Sequence, residues 1–153
     1  MKKLLVLGVG NILMMDEGIG VHAIRRFWEE NSDNDQVDFI DGGTFTQDLF
    51  YLFEKYEHLL VLDVVRAGQA PGTIYSLDEE DLVKNQKQVL SLHDVDLLDS
   101  LGMARMRGFS PKLKVVGIEP EKIDWGVEMT PTLTRAFDSF ITVAKNQIER
   151  LIA

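Results

Sequence analysis

Hydrophobic positions along the chain switch between two periods. Over 4–7 the run Leu-Leu-Val-Leu is continuous and stops at Gly8 and Gly10, which predicts a short strand buried on both faces. From 18 to 28 the apolar positions take helical spacing through Val21, Ile24 and Phe27 or Trp28. A second strand is predicted over 37–40, a second helix by the stripe Leu49, Leu52, Phe53 and Tyr56, and a third buried strand over 59–62. The segment 66–72 holds two glycines and a proline and reads as a loop before a strand over 73–77, and 112–118 supplies a further strand. Between these last two, Ser91-x-x-Asp94 has the form of a capping box variant, with Leu97, Leu98 and Leu101 behind it and Gly102 as a stop, so His93 falls in the first helical turn. The final helix is the clearest. Thr130 suits the N-cap, Pro131 the first helical position, and Leu133, Phe137, Phe140, Ile141, Ala144, Ile148 and Leu151 line one face.

Continuous apolar strands alternating with amphipathic helices imply an α/β fold: a twisted, mostly parallel sheet of about five strands with helices on both faces, joined by right-handed crossovers. With 153 residues, 45% of them hydrophobic and 27% charged, and no linker or internal repeat, the expectation is a single three-layer domain over 1–153.

The formal charge of −9 works against nucleic acid and anionic membrane as partners. With no cysteine, the chain has neither a thiolate nucleophile nor a zinc-finger ligand set, so a metal site would draw on His, Asp and Glu. The opening Met-Lys-Lys and the apolar run after it superficially resemble a signal peptide. However, Gly8, Gly10 and Asn11 interrupt the run, Asp16-Glu17 follows, and no small-x-small cleavage site appears. A strand is the better reading, and the cytoplasm the expected compartment.

In open parallel sheets, ligands bind outside the carboxyl ends of the strands. Three acidic positions fall there: Glu17 after the first strand, Asp41 at the end of the second and Asp63 at the end of the third. Each alone also has a structural explanation. Asp16 or Glu17 can complement a helix N-terminus, Asp41 can start the turn at Gly42-Gly43, and Asp63 can cap the next loop. The stretch Gly8-Val9-Gly10-Asn11-Ile12-Leu13 lacks the third glycine of a dinucleotide fingerprint, and no Gly-Lys-Ser/Thr loop exists, so no nucleotide is expected. These glycines instead suit tight backbone at the sheet edge. Of the three histidines, His22 and His58 read as structural. His93 differs, because a helix N-terminus favours neutral imidazole and so metal coordination. Together with Glu17 and Asp63 it would make one nitrogen and two carboxylates, a set suited to a divalent transition metal.

The residues 7–13, Leu-Gly-Val-Gly-Asn-Ile-Leu, continuing through Asp16-Glu17-Gly18-Ile19-Gly20-Val21, closely resemble the opening motif of the hydrogenase maturation peptidases. The resemblance continues in order through Asp41-Gly42-Gly43-Thr44, Asp63, Pro71-Gly72-Thr73, Ser91-x-His93, Val116-Gly117-Ile118-Glu119-Pro120 and Thr130-Pro131-Thr132. It implies a five-stranded sheet, nickel contact by Glu17, Asp63 and His93, and a carboxylate important for activity at Asp41. It also implies a substrate, the immature large subunit of a nickel–iron hydrogenase, which brings the nickel and loses its C-terminal tail; a monomeric enzyme is expected. Glu17, Asp41 and Asp63 are then the catalytic candidates. Whether metal activates the water, or Asp41 or Asp63 acts as general base, is open in the sequence. The rivals are a non-catalytic nickel-recognising chaperone, which would bind without cleaving, and a nucleotide-binding regulator, which rests on fold alone.

Overall fold

The computed structural model describes residues 2–30, 32, 34–44, 47–84 and 92–153, with the backbone alone at 47–48 and 92–95. A five-stranded sheet runs in the order β2-β1-β3-β5-β4, from β1 (Lys2–Val9), β2 (Val37–Gly43), β3 (Tyr56–Val64), β4 (Ile74–Asp78) and β5 (Lys112–Ile118). β1 lies parallel to β2 and β3, and β3 parallel to β5, while the short β4 is antiparallel to β5. This is the mostly parallel α/β sheet that the hydrophobic pattern predicts. The helices are α1 (Ile19–Glu29), α2 (Glu79–Lys84), α3 (Leu92–Met106) and α4 (Pro131–Ile152), with 3₁₀ segments at Met15–Gly18 and Gln47–Lys55. Among the described residues no helix is long and apolar enough to cross a membrane.

Strand alternation sorts the core into two layers. Leu4, Val6, Leu60, Leu62, Val116 and Ile118 face α1 and α4, where they meet Ile24, Phe27, Leu133 and Phe140. Leu5, Leu7, Leu59, Val61, Leu113 and Val115 face the other way, onto Phe53, Leu82, Leu97 and Leu101. Both faces are therefore dry, which explains why the strands read as continuous apolar runs. At the start of α4 the Thr130 hydroxyl accepts from the Leu133 N–H at 3.4 Å, with Pro131 behind it. Five residues of that helix, Leu133, Phe137, Phe140, Ile141 and Ala144, are buried.

Three elements depart from the sequence expectation. The stripe at Leu49, Leu52 and Phe53 belongs to the 3₁₀ segment Gln47–Lys55 and not to an α-helix, and Tyr56 opens β3 instead of closing a helix. Residues 49 and 52 satisfy a three-residue repeat, and Tyr56 is held in the sheet by its hydroxyl, which donates to Asp38 Oδ2 at 2.6 Å. Gly102 does not stop α3, which continues to Met106. The helix ends instead at Gly108, at φ +90, where Phe109 N–H reaches Ala104 O and Gly108 N–H reaches Arg105 O, both at 3.0 Å, the pairing of a Schellman cap. The six-residue α2 was not expected, being too short for periodicity to reveal. β2 and β3 also run past their predicted ends, to Gly43 and Val64, so Asp41 and Asp63 lie inside the strands' last turns of pleat.

β2 is the parallel edge of the sheet. Its Phe39 carbonyl accepts the Trp28 indole N–H at 3.2 Å, and its Asp38 pairs with Lys2 at 2.8 Å.

The glycines of the first motif set how closely α1 approaches the sheet. A β-carbon on Gly20 would lie 2.1 Å from Leu62 O and 2.5 Å from Val9 O, and one on Gly8 would lie 2.3 Å from Gly20 O. Gly20→Ala is therefore expected to cost about 1–3 kcal/mol through forced backbone displacement. At Gly102, where an added β-carbon meets nothing within 4 Å, alanine is expected to stabilise by roughly 0.5–1 kcal/mol as a better helix former. Urea unfolding of the two variants checks both signs.

Candidate active site

β1 leads through α1 to β2 on one side, and the chain then crosses to β3 on the other side of β1. Successive connections thus cover opposite faces, and the direction switches at the carboxyl ends of β1 and β3, the position where this class of sheet binds its ligands.

Glu17 stands at this switch point. Its 3₁₀ turn, Met15–Gly18, packs against β3 and folds back on the exit of β1, where Gly10 adopts φ +143. A β-carbon on Gly10 would lie 1.9 Å from the Glu17 carbonyl oxygen, so only glycine lets the turn return this closely. Met15 takes φ +53, a conformation costing a non-glycine residue about 1–2 kcal/mol. It is held there by its N–H bond to Gly126 O at 2.9 Å.

Asp63 is 1% exposed, and its Oδ1 accepts from Val64 N–H at 2.8 Å. It alternates with Leu59 and Val61 and so faces the α3 side of the sheet. The C-terminal end of α3 lies at the opposite edge, where Arg105 pairs with Glu79 just beyond β4 and Arg107 pairs with Glu54 just before β3. From Met106 back to His93 the helix spans roughly 20 Å, about the length of a seven-residue strand. The backbone of His93 is in the first turn of α3, as the sequence predicts; its side chain lies outside the described residues.

Asp41 is placed differently. It lies opposite Gly8 in β2, its Oδ1 accepts from Gly43 N–H at 2.9 Å, and it opens into a cleft of about 310 Å³ lined by Asn11, Val21, Arg25 and Thr44 on the α1 face. Gly8 in turn lies opposite Leu62, so the Cα atoms of Asp41 and Asp63 are two strand spacings apart, roughly 10 Å, and their side chains leave opposite faces. A carboxylate pair that shares a proton sits about 3 Å apart. The Glu17 turn packs against β3, which carries Asp63 near its end, while Asp41 lies across β1. Among the described residues no group of three or more His, Asp or Glu side chains is gathered closely enough to hold a metal ion.

Two buried carboxylates that the sequence did not single out organise this end of the sheet. Asp16 is fully buried; its Oδ2 accepts Glu121 N–H at 2.9 Å and Lys122 N–H at 3.0 Å, and its Oδ1 accepts Thr130 N–H at 2.8 Å, while the Thr130 hydroxyl lies 2.9 and 3.0 Å from the two oxygens. Glu119, just past β5, collects Ala67 N–H at 2.9 Å, Gln69 N–H at 3.2 Å and the Tyr75 hydroxyl at 2.7 Å on Oε1, fixing the loop that follows β3. Burial and then the Glu119 carboxylate push the Tyr75 hydroxyl up to about 12. The only signal for either carboxylate in the sequence was an acid beside a motif or a strand end. Burial, followed by the Arg25 charge, holds His22 below the ordinary imidazole range; His58 is lowered by burial and then by Lys112. His58 lies near the amino end of β3, and His22 lies along α1.

Comparison with known proteins gives this geometry a family. The sequence profile of the hydrogenase maturation protease family matches residues 21–147. The chain is 36% identical to the hydrogenase 2 maturation protease of Escherichia coli over 86% of its own length and 81% of that protein. It is 31% identical to the hydrogenase expression/formation protein HupD of Rhodobacter capsulatus, over 96% of this chain and 71% of that one. The solved structure of the hydrogenase maturating endopeptidase HybD from E. coli superposes with a TM-score of 0.85 at 32% identity, covering 98% of this chain and 93% of that chain.

Because Asp16 accepts from three backbone N–H groups and the Thr130 hydroxyl, of which those on Thr130 are buried, Asp16→Ala should cost about 1–3 kcal/mol, the penalty of stranding a buried donor. The expected outcome is a lowered urea midpoint, with faster amide exchange concentrated at Glu121, Lys122 and Thr130.

Proposed function

The chain belongs to the hydrogenase maturation protease family, and from that premise we propose that it removes the C-terminal extension of the nickel-loaded large-subunit precursor of a nickel–iron hydrogenase. The family match carries this reading, and the packing of the Glu17 turn against β3, the strand that holds Asp63 near its carboxyl end, supports it.

In this reading nickel is part of the substrate. Glu17, Asp63 and His93 offer it two carboxylates and one imidazole, a donor set of the borderline kind that divalent nickel accepts. Contact with the metal fixes the precursor's position and lays the scissile bond across the carboxyl ends of β1 and β3. Peptide hydrolysis then needs a polarised carbonyl, an activated water and a proton for the leaving amine. Asp41 and Asp63 are too far apart to share a proton, which favours separate roles: Asp63 beside the metal, and Asp41 acting on the chain that passes over the α1 face. Three donors on three separate segments, without a thiolate, grip a free ion weakly, so the protein reads a metal and does not store one.

The decisive experiment mixes the purified protein with nickel-loaded precursor and follows the C-terminal mass. Binding without loss of the tail would replace the peptidase with a nickel-recognising chaperone. Glu17→Gln and His93→Ala should abolish cleavage while the circular dichroism and thermal midpoint stay near wild type. Unfolding of these variants would return both residues to structural roles.

Metal order is a separate test. A chelator present before nickel enters the precursor should block processing, whereas chelator applied to the peptidase and then removed should have little effect. Recovery of stripped peptidase by added zinc would show a resident catalytic ion instead. The rate should also fall as pH drops below about 6.5, the ordinary imidazole value, because a helix N-terminus lowers the point at which His93 takes a proton and an imidazolium has no lone pair for a metal. The folded state keeps His22 and His58 below their ordinary range. Their contribution to stability is complete above about 6.5 and is lost as pH falls through their lowered values, so the rate profile is read against a parallel unfolding curve.

A further inference from the structure

Beside the Glu17 turn the protein displays a group of large apolar side chains in water. Leu13 is 50% exposed, Trp125 76% and Val127 68%. They are neighbours because Gly126 N–H donates to Leu13 O and Met15 N–H donates to Gly126 O, both at 2.9 Å, in a small bridge between the two loops. The bridge is stiff. A β-carbon on Gly126 would already lie 3.0 Å from Met15 Cγ, and the Asp16 carboxylate anchors the second loop on both sides, at Glu121 and Lys122 and again at Thr130.

A loop held at both ends and in the middle fixes the backbone on which Trp125 and Val127 stand exposed. A rigid, amphipathic aromatic surrounded by aliphatic groups and a polar rim is the anatomy of a binding hot spot. The rim here is acidic: between 121 and 128 the exposed charges are Glu121, Asp124 and Glu128 against Lys122. The complementary surface is apolar and carries lysine or arginine. The patch is also continuous with the candidate active site, since Met15 is two residues from Glu17 within the same 3₁₀ turn.

We propose that Leu13, Trp125 and Val127 form the docking surface on which the large-subunit precursor rests an apolar, basic-rimmed part of its own surface while its metal reaches Glu17. The proposal depends on the function proposed above. It assigns recognition to a patch outside the metal-contacting set, so that affinity is generated where no bond is broken.

The test is steady-state cleavage of nickel-loaded precursor by the wild type, by Trp125→Ala combined with Val127→Ser, and by Trp125→Phe. Lost docking removes binding shared by ground and transition states, so KM should rise roughly tenfold in the double variant while kcat stays within about twofold, and phenylalanine should restore most of the loss. Because these side chains are exposed, the thermal midpoint should not move. In a Trp28→Phe background, acrylamide quenching of Trp125 should fall when precursor is added. Wild-type cleavage with an unchanged KM in the double variant, or a bound precursor that leaves Trp125 open to quencher, would overturn the docking surface while leaving the peptidase intact. Self-association that the double variant abolishes, with KM unaffected, would assign the patch to a second copy and overturn it equally. Absence of wild-type cleavage would count against the proposed function itself, and the quenching arm would still decide whether precursor covers Trp125.

Discussion

The buried carboxylate of Asp16 ties together the two ends of the fold that meet at the active edge. One oxygen holds the loop that leaves β5, and the other holds the N-cap of α4 through the Thr130 N–H. Thr130 in turn caps the helix through Leu133. A single side chain thereby fixes the first turn after β1 against the start of the last helix, and Glu17, the next residue, inherits its position from that arrangement. A buried carboxylate with no cationic partner among the described residues is tolerable only because amide and hydroxyl donors surround it. The same donors would be stranded without it.

The second organising constraint is the close approach of α1 to the sheet through Gly8 and Gly20. It places the helix start directly over the ends of β1 and β3, where the crossover direction switches. The sheet then divides the acidic side chains. Asp63 shares its face with α3, and Asp41 shares its cleft with Arg25. Two carboxylates that look equivalent in the sequence, each an aspartate at the end of an apolar strand, are therefore in chemically different surroundings, one buried and one open to water.

Much of this was legible in the sequence because the signals were local. Continuous apolar runs gave the strands, the Thr130-Pro131 start and the apolar stripe gave α4, and acids at strand ends gave Glu17, Asp41 and Asp63. The family was legible from motif order, which the profile match and the relatives bear out. What could not be read is non-local. Asp16 bonds across 105 to 114 residues of chain, and Glu119 reaches back 44 to 52. No spacing rule connects such partners. Gly102 looks like a stop because glycine both ends helices and occurs within them, and the positive φ at Gly108 is what separates the two uses. The opposition of Asp41 and Asp63 was likewise hidden, because it depends on which strands become neighbours.

The sheet also has a flank to protect. β2 is a parallel edge strand, with backbone groups that any extended peptide could extend into a further strand. The Trp28 indole already occupies the Phe39 carbonyl, and Asp38, bonded to Lys2 and Tyr56, puts charge on the same strand. An incoming chain there would have to displace an aromatic donor and desolvate an ion pair before gaining its first ladder bond. For a protein proposed to receive unfolded tails at the carboxyl ends of its strands, this makes the side of the sheet a poor competitor for the same ligand, and it guards against runaway association of one copy with the next along the sheet edge.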